Sequence, residues 1–223
     1  MCSEQSSKPK NAYKKGIRFY DNFITGSTWW SHLYMSCLWQ VDDNKIAREV
    51  MGMIPSGFSG RLLDVPSGTL VFTASTYAGL PNASIVGVDY SREMLAVAEQ
   101  RKQDMGLSQL SLEWGDVGQL PYEDESFDIV LCMNGFHAFP DKERALAELY
   151  RVLKPGGCFL GNFYVKGERR IGDALVRLVL NRKGVFVPPH FTKEEMEEKF
   201  KSLYKGGVEV SNHNSIMVFR CIK

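Results

Sequence analysis

From Arg61 onward the chain alternates short apolar runs with longer segments of helical periodicity, and this alternation constrains the fold more than any other feature. "RLLDV", "SIVGVD", "QLSLEW", "FDIVLCM" and "CFLGNFYV" read as strands. Between them, "VFTASTYAGL", "SREMLAVAEQRKQDM" and "DKERALAELYRVL" read as helices, stopped by Gly79-Leu80-Pro81, by Gly106 and by "KPGG". Ser91 is placed to cap the second of them. Strand and helix in turn at this spacing predict βαβ crossovers and a parallel sheet. The strands are near-continuous apolar runs, the pattern of a sheet covered by helices on both faces. The end of the chain differs. "TKEEMEEKFKSLY" predicts a helix opened by a capping box of Thr192 and Glu195. "VEVSNHN" and "SIMVFRCIK" follow with a link too short for a parallel return, so they predict an antiparallel hairpin.

Upstream, residues 1–16 are polar and are expected to form an arm. An aromatic-rich stretch, "RFYDNFITGSTWWSHLYMSCLW", comes next. "DDNKIAREVMGMI" then predicts a helix capped by Asp42 or Asp43, with Ile46, Val50 and Met53 on one face. The division is thus an arm and aromatic cap segment over 1–40 and one α/β domain over 41–223. An insertion at about 166–190 interrupts the sheet pattern, and its Ile171, Ala174, Leu175, Leu178 and Val179 make a helical apolar stripe. A chain of 223 residues has room for one such domain with a full core.

Net charge is +1, so no overall field recruits nucleic acid or an anionic membrane. No apolar run reaches the ~20 residues of a membrane span. The first residues lack the apolar centre of a secretory signal. Five widely spaced cysteines without a C-x-x-C pair suit a reducing cytoplasm and argue against a disulfide framework or a zinc site, and the scattered histidines add no metal ligand set.

In doubly wound sheets ligands bind beyond the carboxyl ends of the strands. Asp64, Pro66, Ser67, Gly68 and Thr69 follow the first strand, Asp89 ends the second, Asp116 follows the third, and Asn134, Gly135, Phe136 and His137 follow the fourth. Any one acid could be a helix cap or a solvated turn. Asp89, about 25 residues beyond Asp64, stands near the spacing at which an acid takes ribose hydroxyls, and Asp116 could accept from an adenine amino group. A dinucleotide site is the rival. Its G-x-G-x-x-G loop brings backbone against a pyrophosphate, whereas "LLDVPSGTL" keeps a single glycine and makes a poor phosphate cradle. A nucleoside without phosphates needs only the one close approach that Gly68 supplies.

"LLDVPSGTL", "IVGVDYSREMLAVAEQR", "WGDVGQLPYEDESFDIVLCMNGFHAF" and "RVLKPGG", in that order over roughly residues 60–165, resemble class I S-adenosylmethionine (SAM)-dependent methyltransferases, and most of all the branch that includes the quinone-biosynthesis C-methyltransferases. The resemblance implies a Rossmann-like, seven-stranded, mostly parallel sheet with helices on both faces and an antiparallel C-terminal hairpin. It implies SAM as cofactor, S-adenosylhomocysteine as product, and methyl transfer to a small-molecule acceptor; a lid formed by the aromatic segment and the 166–190 insertion is expected to select a flat or apolar one. Asp64 and Gly68 would lie against the methionine part, with Pro66, Ser67 and Thr69 of the same loop also binding the cofactor. Asp89 would bind the ribose, with Tyr90 and Met94 beside the adenine, Gly115, Asp116 and Val117 at its edge, and Asn134 and Gly135 at the sulfonium end. Pro66 and Leu70 depart from the family's D-x-G-x-G-x-G. The resemblance also places the N-terminal segment over the cofactor and acceptor, which puts Tyr20 beside the one and Trp29 and Trp30 beside the other.

His137 has the position of a general base or of a hydrogen-bonded wall residue. Phe136, Arg169 and Arg170 are expected near the acceptor, with the arginines suited to a carboxylate. The expected molecule is a cytoplasmic monomer or homodimer acting on a small molecule, without nucleic-acid or membrane partners. The alternative is a SAM-binding partner or scaffold protein that transfers no methyl group.

Overall fold

The computed structural model describes residues 42–223; Tyr20, Trp29, Trp30 and the cap segment lie outside the described residues. Helix α1, Asp43–Gly52, begins where the Asp42 carboxylate accepts the Lys45 N–H at 3.1 Å. It buries Ile46, Ala47, Val50 and Met51, so Met51 rather than Met53 completes the inward face.

Seven strands follow among the described residues: β1 Arg61–Asp64, β2 Ser84–Asp89, β3 Leu110–Trp114, β4 Phe127–Met133, β5 Leu153–Tyr164, β6 Gly207–His213 and β7 Ile216–Ile222. They form one sheet in the order β3-β2-β1-β4-β5-β7-β6. The first five run parallel, and β7 lies antiparallel to both β5 and β6. Strand order reverses between β1 and β4, which opens a crevice at their carboxyl ends.

Alternate residues of each central strand enter separate cores. Leu62, Ile129, Leu131 and Val218 join α1 and the short helix α2, Ala74–Ala78, on one face. Leu63, Val130, Cys132 and Phe219 join α4, Lys142–Val152, and α6, Lys193–Leu203, on the other. This two-residue alternation between two buried faces explains the unbroken apolar runs in the sequence. Helix α3, Arg92–Asp104, is capped by the Ser91 hydroxyl, which accepts from the Met94 N–H at 3.2 Å, and Gly106 beyond its end has φ +64°. The capping box of Thr192 and Glu195 is present at the start of α6.

The structure differs from the sequence reading in three places. Helix α2 is shorter than "VFTASTYAGL", because the chain turns through residues 71–73 before it becomes helical. "KPGG" is part of β5: the register jumps from Phe127 opposite Leu153 to Ile129 opposite Cys158, and Lys154–Gly157 form the irregularity. The insertion holds α5, Arg170–Leu175, which continues into a π-turn at Val176–Leu180. A wider turn shifts every later residue around the axis, so a stripe with α periodicity loses its single face. Val176 is buried, whereas Ile171, Leu178 and Val179 are exposed.

Candidate active site

The crevice beyond β1, β2, β3 and β4 is a cavity of about 420 Å³. That volume lies within the range of small-molecule sites, roughly 300–1,000 Å³. Its wall brings together all the described residues that the sequence assigns to a cofactor: Asp64 and Pro66–Thr69 from the first loop, Asp89, Tyr90 and Met94, Gly115–Val117, and Asn134 with Gly135.

The first loop is held from several sides. The Ser67 N–H donates to the Val88 carbonyl at 2.9 Å. One Asp89 carboxylate oxygen accepts the Gly68 N–H and the other accepts the Ser91 N–H, each at 2.8 Å. Asp89 thus ties the loop after β1 to the start of α3. A carboxylate has about four lone-pair sites, so the group keeps acceptor capacity for a ligand hydroxyl. Burial raises the pKa of Asp89, against the pull of the Ser91, Gly68 and Tyr90 amides.

Gly68 has φ +55°, and no atom lies within 4 Å of where its Cβ would stand. The space beside it is the cavity, open to a ligand's close approach. Leu70, where a family glycine is expected, retains a left-handed backbone with φ +61° while its side chain enters the core. Pro66 has a matching partner. A Cβ on Gly135 would meet the Pro66 ring at 2.0 Å, so the proline in the first loop fits only because residue 135 has no side chain.

Asp64 is 1% exposed. One of its oxygens accepts the Tyr77 hydroxyl at 2.7 Å, and the other is buried without a partner. Burial pushes its carboxyl up to about 7, with the nearby Asp89 charge adding to the effect and the Tyr77 bond opposing it. An orphaned buried carboxylate oxygen in a cavity wall suits a cationic or hydroxyl donor from a ligand. Asp116 accepts the Gly118 N–H at 2.8 Å, the cap-like contact that a lone acid at a turn would make.

The wall also contains residues that the sequence reading did not single out for the site. Trp114 ends β3 and is 49% exposed; its ring lies 5.5 Å from that of Tyr90, its indole N–H donates to the Tyr90 carbonyl at 2.8 Å, and the Arg92 guanidinium sits 4.8 Å above it. A large exposed ring at the last position of an edge strand, just before "GD", is the signal that could have found it. Phe72, Phe139 and Pro140 line the cavity too, but nothing in their spacing separates them from core residues.

Phe136, His137, Arg169 and Arg170 lie outside the cavity wall. Phe136 packs into the core against Phe163, with centroids 4.9 Å apart. The His137 ring stacks on Phe186 at 3.9 Å, and its Nδ1 accepts the Tyr164 N–H at 3.4 Å. Burial holds its pKa down to about 3, with the charges of His190 and Lys142 adding to the effect. Among the described residues no group of three metal-ligating side chains occurs.

Fold and cavity together define a doubly wound domain with a crevice at the carboxyl ends of its strands. Residues 63–161 match the family model described as a methyltransferase domain. Over these residues the chain is similar to methyltransferase domains, and it resembles the quinone methyltransferases. Over 96 residues it is 43% identical to the demethylmenaquinone methyltransferase of Oceanobacillus iheyensis, a match covering 43% of this chain and 40% of that one. The chain therefore spans less than half the length of that curated relative. Among solved structures, the Bacillus subtilis protein YcgJ superposes with a TM-score of 0.65 at 25% identity, covering 75% of this chain and 70% of that one. The [4+2]-cyclase SpnF superposes with a TM-score of 0.61 at 26% identity, covering 78% and 61%.

Proposed function

We propose that the protein binds SAM in the 420 Å³ cavity and transfers its methyl group to a flat, apolar, quinone-type small molecule. The observation that carries this reading is the Asp89 carboxylate. It clamps Gly68 on one side of the crevice and Ser91 on the other, and keeps acceptor capacity for a ribose hydroxyl. The residues present fit the cofactor: the orphaned Asp64 oxygen suits an ammonium, the bare space at Gly68 admits a close approach, and Tyr90 with Trp114 offers aromatic surface to a purine.

When bound, SAM supplies an activated methyl group on a sulfonium. The chain's own task is alignment, which can lower a barrier by about 7–11 kcal/mol. Asp89 would hold the ribose and the first loop the methionine part, and Asn134 and Gly135 would bound the sulfonium. Asn134 is itself held by Asn162, whose side-chain amide donates to the Asn134 side-chain oxygen at 2.7 Å. His137 stands behind the cavity wall rather than serving as a base: its ring is engaged on both Phe186 and Tyr164, and a pKa near 3 makes it a weak base. The acceptor then reaches the site already nucleophilic. The insertion at 166–190, whose Gly184 lines the cavity, helps to cover the acceptor in this reading.

Similarity to a cyclase at 26% identity favours one rival, in which the fold binds the cofactor without passing on its methyl group. Titration calorimetry should give tighter binding of SAM than of NAD. Incubation with SAM and a reduced demethylnaphthoquinone should release S-adenosylhomocysteine in step with the methylated quinol. Tighter NAD binding refutes the site assignment; SAM binding without product from any quinol favours the non-transferring rival.

A further inference from the structure

Helix α5 and its π-turn carry an unusual outer face. Ile171 is 63% exposed, Leu178 48% and Val179 36%, half of the large exposed hydrophobic side chains among the described residues. Ile171, Leu178 and Val179 are all turned to solvent along this one short segment. Arg170 and Arg177 within it, and Arg182 and Lys183 just beyond it, are exposed as well. None of these four cations pairs with a carboxylate among the described residues. The stretch 166–183 holds six lysines and arginines against two acids, in a chain whose net charge is only +1. One of those acids, Asp173, faces inward, accepting from the Tyr164 hydroxyl at 2.6 Å and the Gly167 N–H at 3.0 Å.

We propose that this face, with Ile171, Leu178 and Val179 at its centre and Arg170, Arg177, Arg182 and Lys183 around them, docks on an anionic membrane surface. Charge complementarity selects the partner. Apolar side chains enter the boundary between headgroups and acyl chains while cations meet lipid phosphates at its rim. A nucleic acid would use the cations but leave the apolar centre wet, and no exposed aromatic ring lies in this face to stack on bases. Among the described residues no helix is long and apolar enough to cross a membrane, and the attachment proposed is peripheral and reversible. The face adjoins the cavity. Gly184, next after Lys183, lines the cavity wall, and Phe186 stacks on His137. Docking would set the cavity mouth toward the bilayer, from which a lipid-soluble acceptor could enter. Only that consequence rests on the proposed methyl transfer; the docking itself does not.

The test is co-sedimentation of the full chain with vesicles of phosphatidylcholine alone and with vesicles containing about one-third phosphatidylglycerol, with no cofactor or acceptor present. The expected result is at least tenfold tighter binding to the anionic vesicles, released by molar salt. The pair Arg177→Gln with Arg182→Gln should weaken it roughly 20- to 30-fold, from about fivefold per cation at the surface. The pair Ile171→Ser with Leu178→Ser should also reduce it at least tenfold. Both pairs alter exposed side chains, and their unfolding temperatures should match the wild type, which separates lost docking from lost folding. Equal binding to both vesicles, no binding, or variants that bind as well as wild type would each overturn the proposal. Self-association abolished by the Ile171/Leu178 pair, without vesicle binding, would overturn it too and assign the face to a second copy of the chain.

Discussion

Burial raises the pKa of both Asp89 and Asp64, but their hydrogen-bond partners differ, and their substitutions should be distinguishable. Asp89 is a clamp as well as a ligand group. Asp89→Ala removes a charged acceptor of two backbone amides, an effect on the order of 1.5–3 kcal/mol. Calorimetry should show SAM binding weakened tenfold or more, and hydrogen exchange at Gly68 should quicken even without ligand. Unchanged exchange at Gly68 would mean that the loop is held without Asp89. For Asp64 the folded pKa, about 7, lies above the ordinary 3.8. Its contribution to stability is therefore fully present below about pH 4 and is lost as pH rises through about 7. Asp64→Asn should remove that part of the pH dependence in chemical denaturation. By the proposed placement of the SAM ammonium beside Asp64, binding should release protons at pH values below about 7, measurable as a buffer-dependent binding enthalpy. His137→Phe preserves the stack on Phe186 and should leave the rate within a few-fold of wild type. A hundredfold loss of kcat at constant KM would restore the general-base reading.

At the scale of elements, two loops from different strands were shaped to each other. The loop after β1 contributes the Pro66 ring, and the turn after β4 contributes the bare Cα of Gly135. A methyl group at residue 135 would stand 2.0 Å from that ring, so one backbone must move. Gly135→Ala should abolish SAM binding, whereas the double substitution with Pro66→Gly should recover much of it. If Gly135→Ala alone binds SAM normally, the loops are more pliant than this contact allows. The sequence reading treated Pro66 and Leu70 as departures from a glycine pattern, and both departures are compensated. Pro66 is accommodated by Gly135, whereas Leu70 itself takes the glycine-like φ of +61°. A residue count along one loop cannot reveal that the compensation for Pro66 sits about 70 residues away.

The whole molecule rests on a sheet with a core on each face. Phe159, Phe163, Phe200, Tyr204 and Phe219 form a continuous aromatic group on one of them, with Phe159 4.7 Å from Phe219 and 5.9 Å from Phe200. None of these rings lines the cavity. Phe159→Ala should cost about 3–5 kcal/mol. At ~2–4 °C per kcal/mol for a chain of this size, the unfolding temperature should fall by roughly 6–20 °C. SAM affinity measured well below that temperature should be unchanged. A parallel loss of affinity would show that the site and this core are energetically linked.

The amino-acid sequence alone determined the order of strands and helices from β1 to β7, the caps at Ser91 and Thr192, and the residues gathered around the cavity. These are local or periodic signals: an apolar run, a hydroxyl before a helix, an acid at a strand's end. Tertiary structure alone decided the rest. It placed His137 behind the cavity wall, buried Phe136 in the core, and brought Trp114 and Phe139 to the site. It carried β5 through "KPGG" and turned Ile171 and Leu178 outward. Each depends on what packs against a residue from far along the chain, or on one extra residue in a turn, and periodicity encodes neither.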